Sequence, residues 1–161
     1  VSVGMYEHVA PNALEGYFGH ARGLLKPGGV FLAHGIAGSP TAATRSGPSF
    51  LETYVFPDHG VVPVSTMLTA AERARLELRD VESLREHYML TLRCWLRRLD
   101  ANRDEAVRLT NEAVYRIWRL MLAGSAYRFA KGRANVYQAL LAKPTGDGAS
   151  HLPLSRADWY A

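Results

Sequence analysis

Two short apolar runs that each lead into an imidazole place the strongest constraint on how this chain folds. The first, Val1–His8, contains β-branched residues and a glycine and ends on adjacent Glu7 and His8. The second, Gly29–His34, is apolar until its last residue. Read as neighbouring parallel strands, the two runs bring Glu7 and His34 to the same edge of a sheet. That edge, at the carboxyl ends of the strands, is where open α/β sheets bind ligands.

The rest of the chain alternates between helical and extended patterns. Apolar residues recur at helical spacing from Leu14 to Leu25, and Pro27-Gly28 then ends that helix. Residues 37–64 form a long loop rich in Gly, Pro, Ser and Thr, which is typical of a functional or mobile segment. Ser65–Ala74 is predicted to be a short helix, and Leu76–Val81 alternates as a strand does.

A helical insertion, at about 84–130, precedes the last predicted strand at 135–142. Two apolar stripes mark its two predicted helices: Leu84, Tyr88, Leu92, Trp95, Leu96 and Leu99, then Leu109, Ala113, Ile117, Leu120 and Gly124. We interpret Trp95, Trp118 and Trp159 as core or packing residues. The pattern predicts an α/β fold, the second half of a doubly wound Rossmann-like sheet, over residues 1–143 with a C-terminal tail at 144–161.

Composition limits the class of protein. With 161 residues, 48% hydrophobic and 21% charged, the chain suits one globular domain and not a disordered segment. The single cysteine, Cys94, excludes a disulfide framework and a Cys-based metal site, and no apolar run is long enough to predict a membrane span. The net charge of +4 suits an anionic partner such as a phospholipid surface, whereas dispersed basic residues disfavour nucleic acid. The densest basic cluster is either a solvated face or a patch for lipid headgroups: Arg93, Arg97 and Arg98.

Several motifs resemble one family of enzymes. Ser2-Val3-Gly4-Met5-Tyr6-Glu7-His8 is similar to the Ser-(Val/Ile)-Gly-Met-Phe-Glu-His signature of the cyclopropane-fatty-acyl-phospholipid synthases and mycolic acid cyclopropane synthases, with Tyr6 where Phe is usual. Further matches follow in the same order: Leu24–Gly29, Phe31–Ile36, Tyr54–Pro57, Glu86–Tyr88, Gly124-Ser125 and Val136–Gln138. The resemblance runs from Val1 to about Lys143 and implies the fold of a class I S-adenosylmethionine-dependent methyltransferase.

The resemblance implies a reaction and a set of residues. The reaction is methyl transfer from S-adenosylmethionine to the cis double bond of a phospholipid acyl chain, followed by proton loss and closure to a cyclopropane. Bicarbonate serves as the base in such enzymes. Carried onto this chain, the catalytic residues are Glu7, His34 and Tyr88, and the backbone N–H of Ile36 binds the bicarbonate.

The chemistry of these side chains agrees with that assignment. An anionic base needs hydrogen-bond donors, which His34 and Tyr88 supply, and a carboxylate such as Glu7 can take its proton. Without the resemblance, His34 and Tyr88 would be interpreted as core residues, and Glu7 and His8 as helix-start or surface residues. By the resemblance, the cofactor is expected to contact Val3 and His8. A cation forming on a lipid needs a dry pocket with aromatic faces, and the candidates are Tyr6, Phe50, Tyr54 and Phe56.

Two family features have no counterpart in this sequence, namely a Gly-rich cofactor loop after the first strand and an upstream bicarbonate-binding Cys. The chain also lacks an initiator Met. We therefore expect it to be the later part of a longer protein, and to bind the cofactor poorly and turn over little by itself.

Other functions remain open alternatives. The same lipid cation could give a methyl-branched or methylene acyl chain. The chain could also serve a methyltransferase that acts on a small non-lipid acceptor, with the insertion as a lid, or be a non-catalytic lipid- or protein-binding remnant. For the lipid enzyme, the expected location is the cytoplasm, peripheral to the inner face of the membrane, and a homodimer is left open.

Overall fold

The computed structural model describes residues 1–39, 47–57 and 61–157. One mixed sheet contains four strands in the order β1-β2-β4-β3 within these ranges: β1 (Ser2–Val3), β2 (Val30–Gly38), β3 (Glu77–Ser83) and β4 (Ala134–Ala142). β1 runs parallel to β2, with Val3 opposite His34, whereas β4 is antiparallel to both β2 and β3. The predicted α/β class and the parallel pairing of the two early segments are confirmed.

Helices cover both faces of this sheet. In the described ranges they are α1 (Leu14–Leu24), α2 (Phe50–Tyr54), α3 (Val64–Arg73), α4 (Arg85–Ala101), α5 (Arg103–Leu109) and α6 (Glu112–Ala130). Side chains of α1 and α3 pack with Phe31 and Ala33 of β2 in one core cluster. Side chains of α4 and α6 pack with Val136 of β4 and Ile36 of β2 in a second. None of these helices is long and apolar enough to cross a bilayer.

The first apolar run is only partly a strand. β1 ends at Val3, because Gly4 adopts a φ of +64°, a left-handed conformation that turns the chain. Tyr6–His8 then form a 3-10 turn where the sequence predicted continued strand. The turn carries Glu7 back over β2, and this is what positions its carboxylate.

Tyr6 packs against the backbone of β2 at Gly35. Its side chain is 1% exposed, and a Cβ built on Gly35 would lie 2.5 Å from Tyr6 Cε1. A glycine at this position therefore makes room for the ring. The Tyr6 hydroxyl is buried and has no hydrogen-bond partner among the described residues, and burial raises the pKa of this phenol.

The insertion contains three helices where two were predicted. The longer predicted helix is interrupted before Asn111, whose side chain accepts the Val114 N–H and caps α6. The predicted stripe on this helix is wrong, since Leu109 and Leu120 are exposed and the buried residues are Tyr115, Met121, Leu122, Ala126 and Phe129. Apolar residues occupy more than one side of α6, so spacing alone did not identify the side that packs on α4.

The long loop and the tail also contain structure. Within the loop, α2 begins with a capping box in which Ser49 accepts the Glu52 N–H, while residues 40–46 and 58–60 lie outside the described ranges. In the tail, Arg156 Nε lies 2.7 Å from Asp80 Oδ2 on β3. Trp159 lies outside the described residues.

Candidate active site

A cavity of about 290 Å³ lies beside the carboxyl end of β2, between the sheet and the helices α4 and α6. Most of its lining is apolar, including Ile36, Phe56 and Leu92. The polar lining residues of the described chain are Glu7, His8, Tyr88, Ser125 and Arg128. An apolar space with a few polar groups is the usual form of a small-molecule site, which makes this cavity the candidate active site.

Glu7 is a buried acid at the wall of this cavity. It is 7% exposed, and its Oε2 accepts the backbone N–H of Ile36 at 2.8 Å. Burial raises the pKa of the carboxyl, while the Ile36 hydrogen bond and the charge of His8 partly oppose that shift. A carboxylate that binds a proton more tightly than usual is a better proton acceptor at neutral pH.

Tyr88 extends from the first turns of α4 into the same cavity. Its ring lies against Phe129 and Trp95, with ring centroids 5.0 and 6.1 Å away. Burial, and secondarily the charge of Glu7, raises the pKa of the Tyr88 hydroxyl. The phenol therefore stays protonated at neutral pH, and its hydroxyl is a hydrogen-bond donor within electrostatic range of Glu7.

His34 lies next to the cavity but does not line it. Side chains alternate along a strand, so His34 is on the same face of β2 as Ile36, two residues earlier. It is half-buried, and burial lowers the pKa of its imidazole, which is neutral at neutral pH. Of the three predicted catalytic residues, the structure brings Glu7 and Tyr88 together in one cavity and leaves His34 beside it.

Only some of the residues predicted to bind cofactor and substrate line the cavity. His8 and Phe56 line the cavity, with their ring centroids 6.1 Å apart. Val3 is exposed on β1, at the edge of the described sheet. Of the two predicted tyrosines, Tyr6 is in the core beneath β2 and Tyr54 is exposed, and neither lines the cavity.

Sequence reasoning missed the wall that α6 contributes. Trp118, Leu122, Ser125 and Phe129 recur at three- and four-residue spacing and all line the cavity. That spacing was a usable signal, but the stripe chosen from the sequence lay on another side of the helix. Of the two predicted roles for Trp95 and Trp118, core or packing residue, the core role is wrong, because each is 44% exposed and both line the cavity. Trp95 does pack against the Tyr88 ring.

The raised pKa of Glu7 predicts a pH dependence of stability. The folded chain binds this proton more tightly than the unfolded chain, so the contribution to the free energy of unfolding is present below the ordinary glutamate pKa. This contribution to stability is lost as the pH rises through the raised pKa of Glu7 in the folded chain. In urea denaturation at a series of pH values, Glu7→Gln should remove this decline, and Glu15→Gln, an exposed control on α1, should retain it. Equal slopes for the wild type and Glu7→Gln would contradict the raised pKa.

Solved structures define the class to which this fold belongs. The chain matches the cyclopropane synthase MmaA2 from Mycobacterium tuberculosis with a TM-score of 0.79 and 27% identity, covering 87% of this chain and 53% of that one. The mycolic acid cyclopropane synthase CmaA1, in a crystal structure complexed with SAH and CTAB, gives a TM-score of 0.80 at 28% identity with the same coverage. The fold is that of the S-adenosylmethionine-dependent methyltransferases.

A more particular assignment comes from the sequence families. The family model described as mycolic acid cyclopropane synthetase matches residues 1–139, and this chain belongs to that family. A probable fatty acid methyltransferase of Pseudomonas putida is 43% identical over 99% of this chain and 41% of its own length. The chain thus spans about half, or less, of the length of these relatives.

Proposed function

We propose that this chain takes part in methyl transfer from S-adenosylmethionine to the cis double bond of a phospholipid acyl chain, with a cyclopropane as the product. The observation that carries the proposal is a buried carboxylate and a phenol in a mostly apolar, aromatic-lined cavity. Such a cavity suits an alkyl chain and provides a proton acceptor where a proton has to leave. Membership of the cyclopropane synthetase family supports the same reaction class.

The lining residues have distinct roles in this proposal. Methylation of a double bond leaves positive charge on the acyl chain, which the ring faces of Tyr88 and Phe129 stabilise. The apolar lining excludes water that would otherwise capture the cation. A C–H bond of the added methyl group then breaks, its electron pair forms the new C–C bond of the ring, and the proton passes to the Glu7 carboxylate.

Bicarbonate, which the resemblance implies as the base, fits part of this arrangement. The Tyr88 hydroxyl and the His34 ring take part in no side-chain hydrogen bond within the described chain and are available as donors. The Ile36 N–H, the backbone donor that the resemblance gives to bicarbonate, is donated to Glu7 here. We propose that His34 and Tyr88 would hold the ion, which would supply a base beside Glu7, and that Glu7, with its raised pKa, is suited to receive the proton.

S-adenosylmethionine would supply the methyl group, and Val3 and His8 are the residues proposed to contact it. Val3 ends β1 and His8 follows it, at the edge where open α/β sheets bind ligands, and His8 also lines the cavity. We further propose that the protein acts in the cytoplasm at the inner face of the membrane, where phospholipid acyl chains are available.

A second candidate is a methyl-branched or methylene acyl product. The name of the Pseudomonas putida relative, a probable fatty acid methyltransferase, favours it. Both routes pass through a lipid cation and release a proton from the added methyl group. In the cyclopropane the electron pair of that C–H bond closes the ring, whereas in the methylene product a 1,2-hydride shift first moves the cation to the methylated carbon and the pair then forms the double bond. A saturated methyl-branched chain would require a separate hydride donor to reduce that double bond. The cavity and its proton acceptor serve either outcome.

Incubation of the full-length protein with labelled S-adenosylmethionine and unsaturated phospholipid vesicles tests the proposal. We expect label in the acyl chains, and mass spectrometry should find one added methylene unit with loss of the double bond. A product that can still be hydrogenated would indicate the methylene candidate. Transfer of label to a small soluble acceptor, with none in the lipid, would overturn the proposal.

A further inference from the structure

The cavity follows the seam between α4 and α6. The two helices are antiparallel neighbours, since Tyr88 near the start of α4 contacts Phe129 near the end of α6, and Asp100 near the end of α4 accepts the Tyr115 hydroxyl at 2.9 Å. The lining on α6 runs from Phe129 to Trp118. At 1.5 Å per residue, this wall is about 16 Å long.

The two ends of this cavity differ in character. Its inner end, at the sheet, has Glu7 and Tyr88. Its outer end has Trp95 and Trp118, each of which lines the cavity while keeping 44% of its surface exposed. Leu109 on α5, in the connection between α4 and α6, is 67% exposed. Half-exposed tryptophans are typical of surfaces that enter the interface between water and lipid.

Positive charge is concentrated on the same insertion. Residues 84–133 contain eleven Lys and Arg against five Asp and Glu, whereas the rest of the chain has eight against ten. Arg98 follows Trp95 by one helical turn, on the same side of α4, and is exposed. Its side chain makes no ion pair or hydrogen bond within the described ranges, unlike four other arginines of the insertion end: Arg103, Arg108, Arg116 and Arg119.

We propose that Trp95, Arg98, Leu109 and Trp118 form a docking surface, here named the insertion tip, for an anionic phospholipid membrane. Docking would let an acyl chain enter the cavity between Trp95 and Trp118 and reach Glu7 along the α4–α6 seam. Exposed tryptophan and leucine on a segment with an excess of Lys and Arg provide both the apolar contact and the positive charge with which peripheral proteins bind anionic lipid surfaces. The inference rests on the proposed function, because it assumes a lipid substrate.

Vesicle sedimentation with the full-length protein tests this surface. We expect binding to vesicles that contain phosphatidylglycerol and weaker binding to pure phosphatidylcholine. Arg98→Gln should weaken binding to the anionic vesicles about fivefold, since one basic residue near such a surface contributes about 1 kcal/mol. Trp118→Ala should weaken it by a similar factor. Arg93→Gln is the matched control, because Arg93 is exposed on the same helix but roughly 200° around it from Trp95.

Several outcomes would contradict the assignment of the insertion tip as a membrane-docking surface. Equal losses for Arg93→Gln and Arg98→Gln would mean diffuse charge attraction, and binding to an acidic acyl carrier protein but not to vesicles would mean a protein partner. A second readout separates this inference from the proposed function. For Arg98→Gln, the ratio of methyl transfer on vesicles to that on detergent-dispersed lipid should fall about fivefold. If the wild type binds vesicles through the tip but transfers no methyl group in either form, the proposed function fails and the docking surface stands.

Discussion

Glu7→Gln should reduce methyl transfer to unsaturated lipid by at least about a hundredfold in the full-length protein, the effect typical of losing a general base. The amide oxygen of glutamine can still accept the Ile36 N–H, which Glu7 Oε2 now accepts at 2.8 Å. The substituted side chain cannot take up the proton. The variant therefore separates proton transfer from the structural role of this hydrogen bond, and the measurement is the initial rate of label incorporation into acyl chains.

Two controls make that result specific. Glu15→Gln removes an exposed carboxylate from α1 and should leave the rate unchanged. A thermal unfolding curve of Glu7→Gln should remain cooperative, because the side chain keeps its size and its hydrogen bond. A rate within about threefold of the wild type, with folding intact, would remove Glu7 from the mechanism.

Gly35→Ala should lower the free energy of unfolding by about 3 kcal/mol, at the upper end of the usual effect of overpacking a core. The new Cβ would lie 2.5 Å from Tyr6 Cε1 and 2.9 Å from Tyr6 Cζ. Tyr6 is 1% exposed and precedes Glu7 in the same 3-10 turn, so the ring can move only by shifting that turn. Urea denaturation measures the loss of stability.

A matched glycine and a double-mutant cycle test the cause. Gly19→Ala on α1 has open space around the added methyl group and should raise stability by up to about 1 kcal/mol, since alanine is the better helix former. In a Tyr6→Ala background, Gly35→Ala should cost much less, because the ring that it meets is gone. An equal cost in both backgrounds would show that Tyr6 is not the obstacle.

Periodicity predicted much of the fold because each element's exposed and buried sides differ. The helix α1 and the strand β4 follow from the spacing of their apolar residues, and the parallel pairing follows from placing the two early runs side by side at one edge of the sheet. The turn at Tyr6–His8 did not follow, since a strand and a turn after Gly4 share the same residue types. Its conformation depends on Gly4 at a φ of +64° and on the space left by Gly35.

Site residues that belong to a family motif could be predicted from the sequence, whereas those whose positions depend on packing could not. Glu7 and Tyr88 came from the family resemblance and lie in one cavity. Tyr6 and Tyr54 were chosen for their aromatic rings, but the rings' positions are set by Gly35 and by the exposed side of α2. The α6 wall depends on which side of that helix packs against α4, and tertiary packing, not the local sequence pattern, determines that side.

A crystal structure of the full-length protein with a bound unsaturated lipid analogue tests most directly whether the α4–α6 cavity receives the acyl chain. We expect the alkyl chain to lie along the seam from Trp118 to Phe129, with its double-bond carbons within about 4 Å of Tyr88 and facing Glu7. An alkyl chain bound elsewhere, with Glu7 and Tyr88 packed against protein alone, would contradict it.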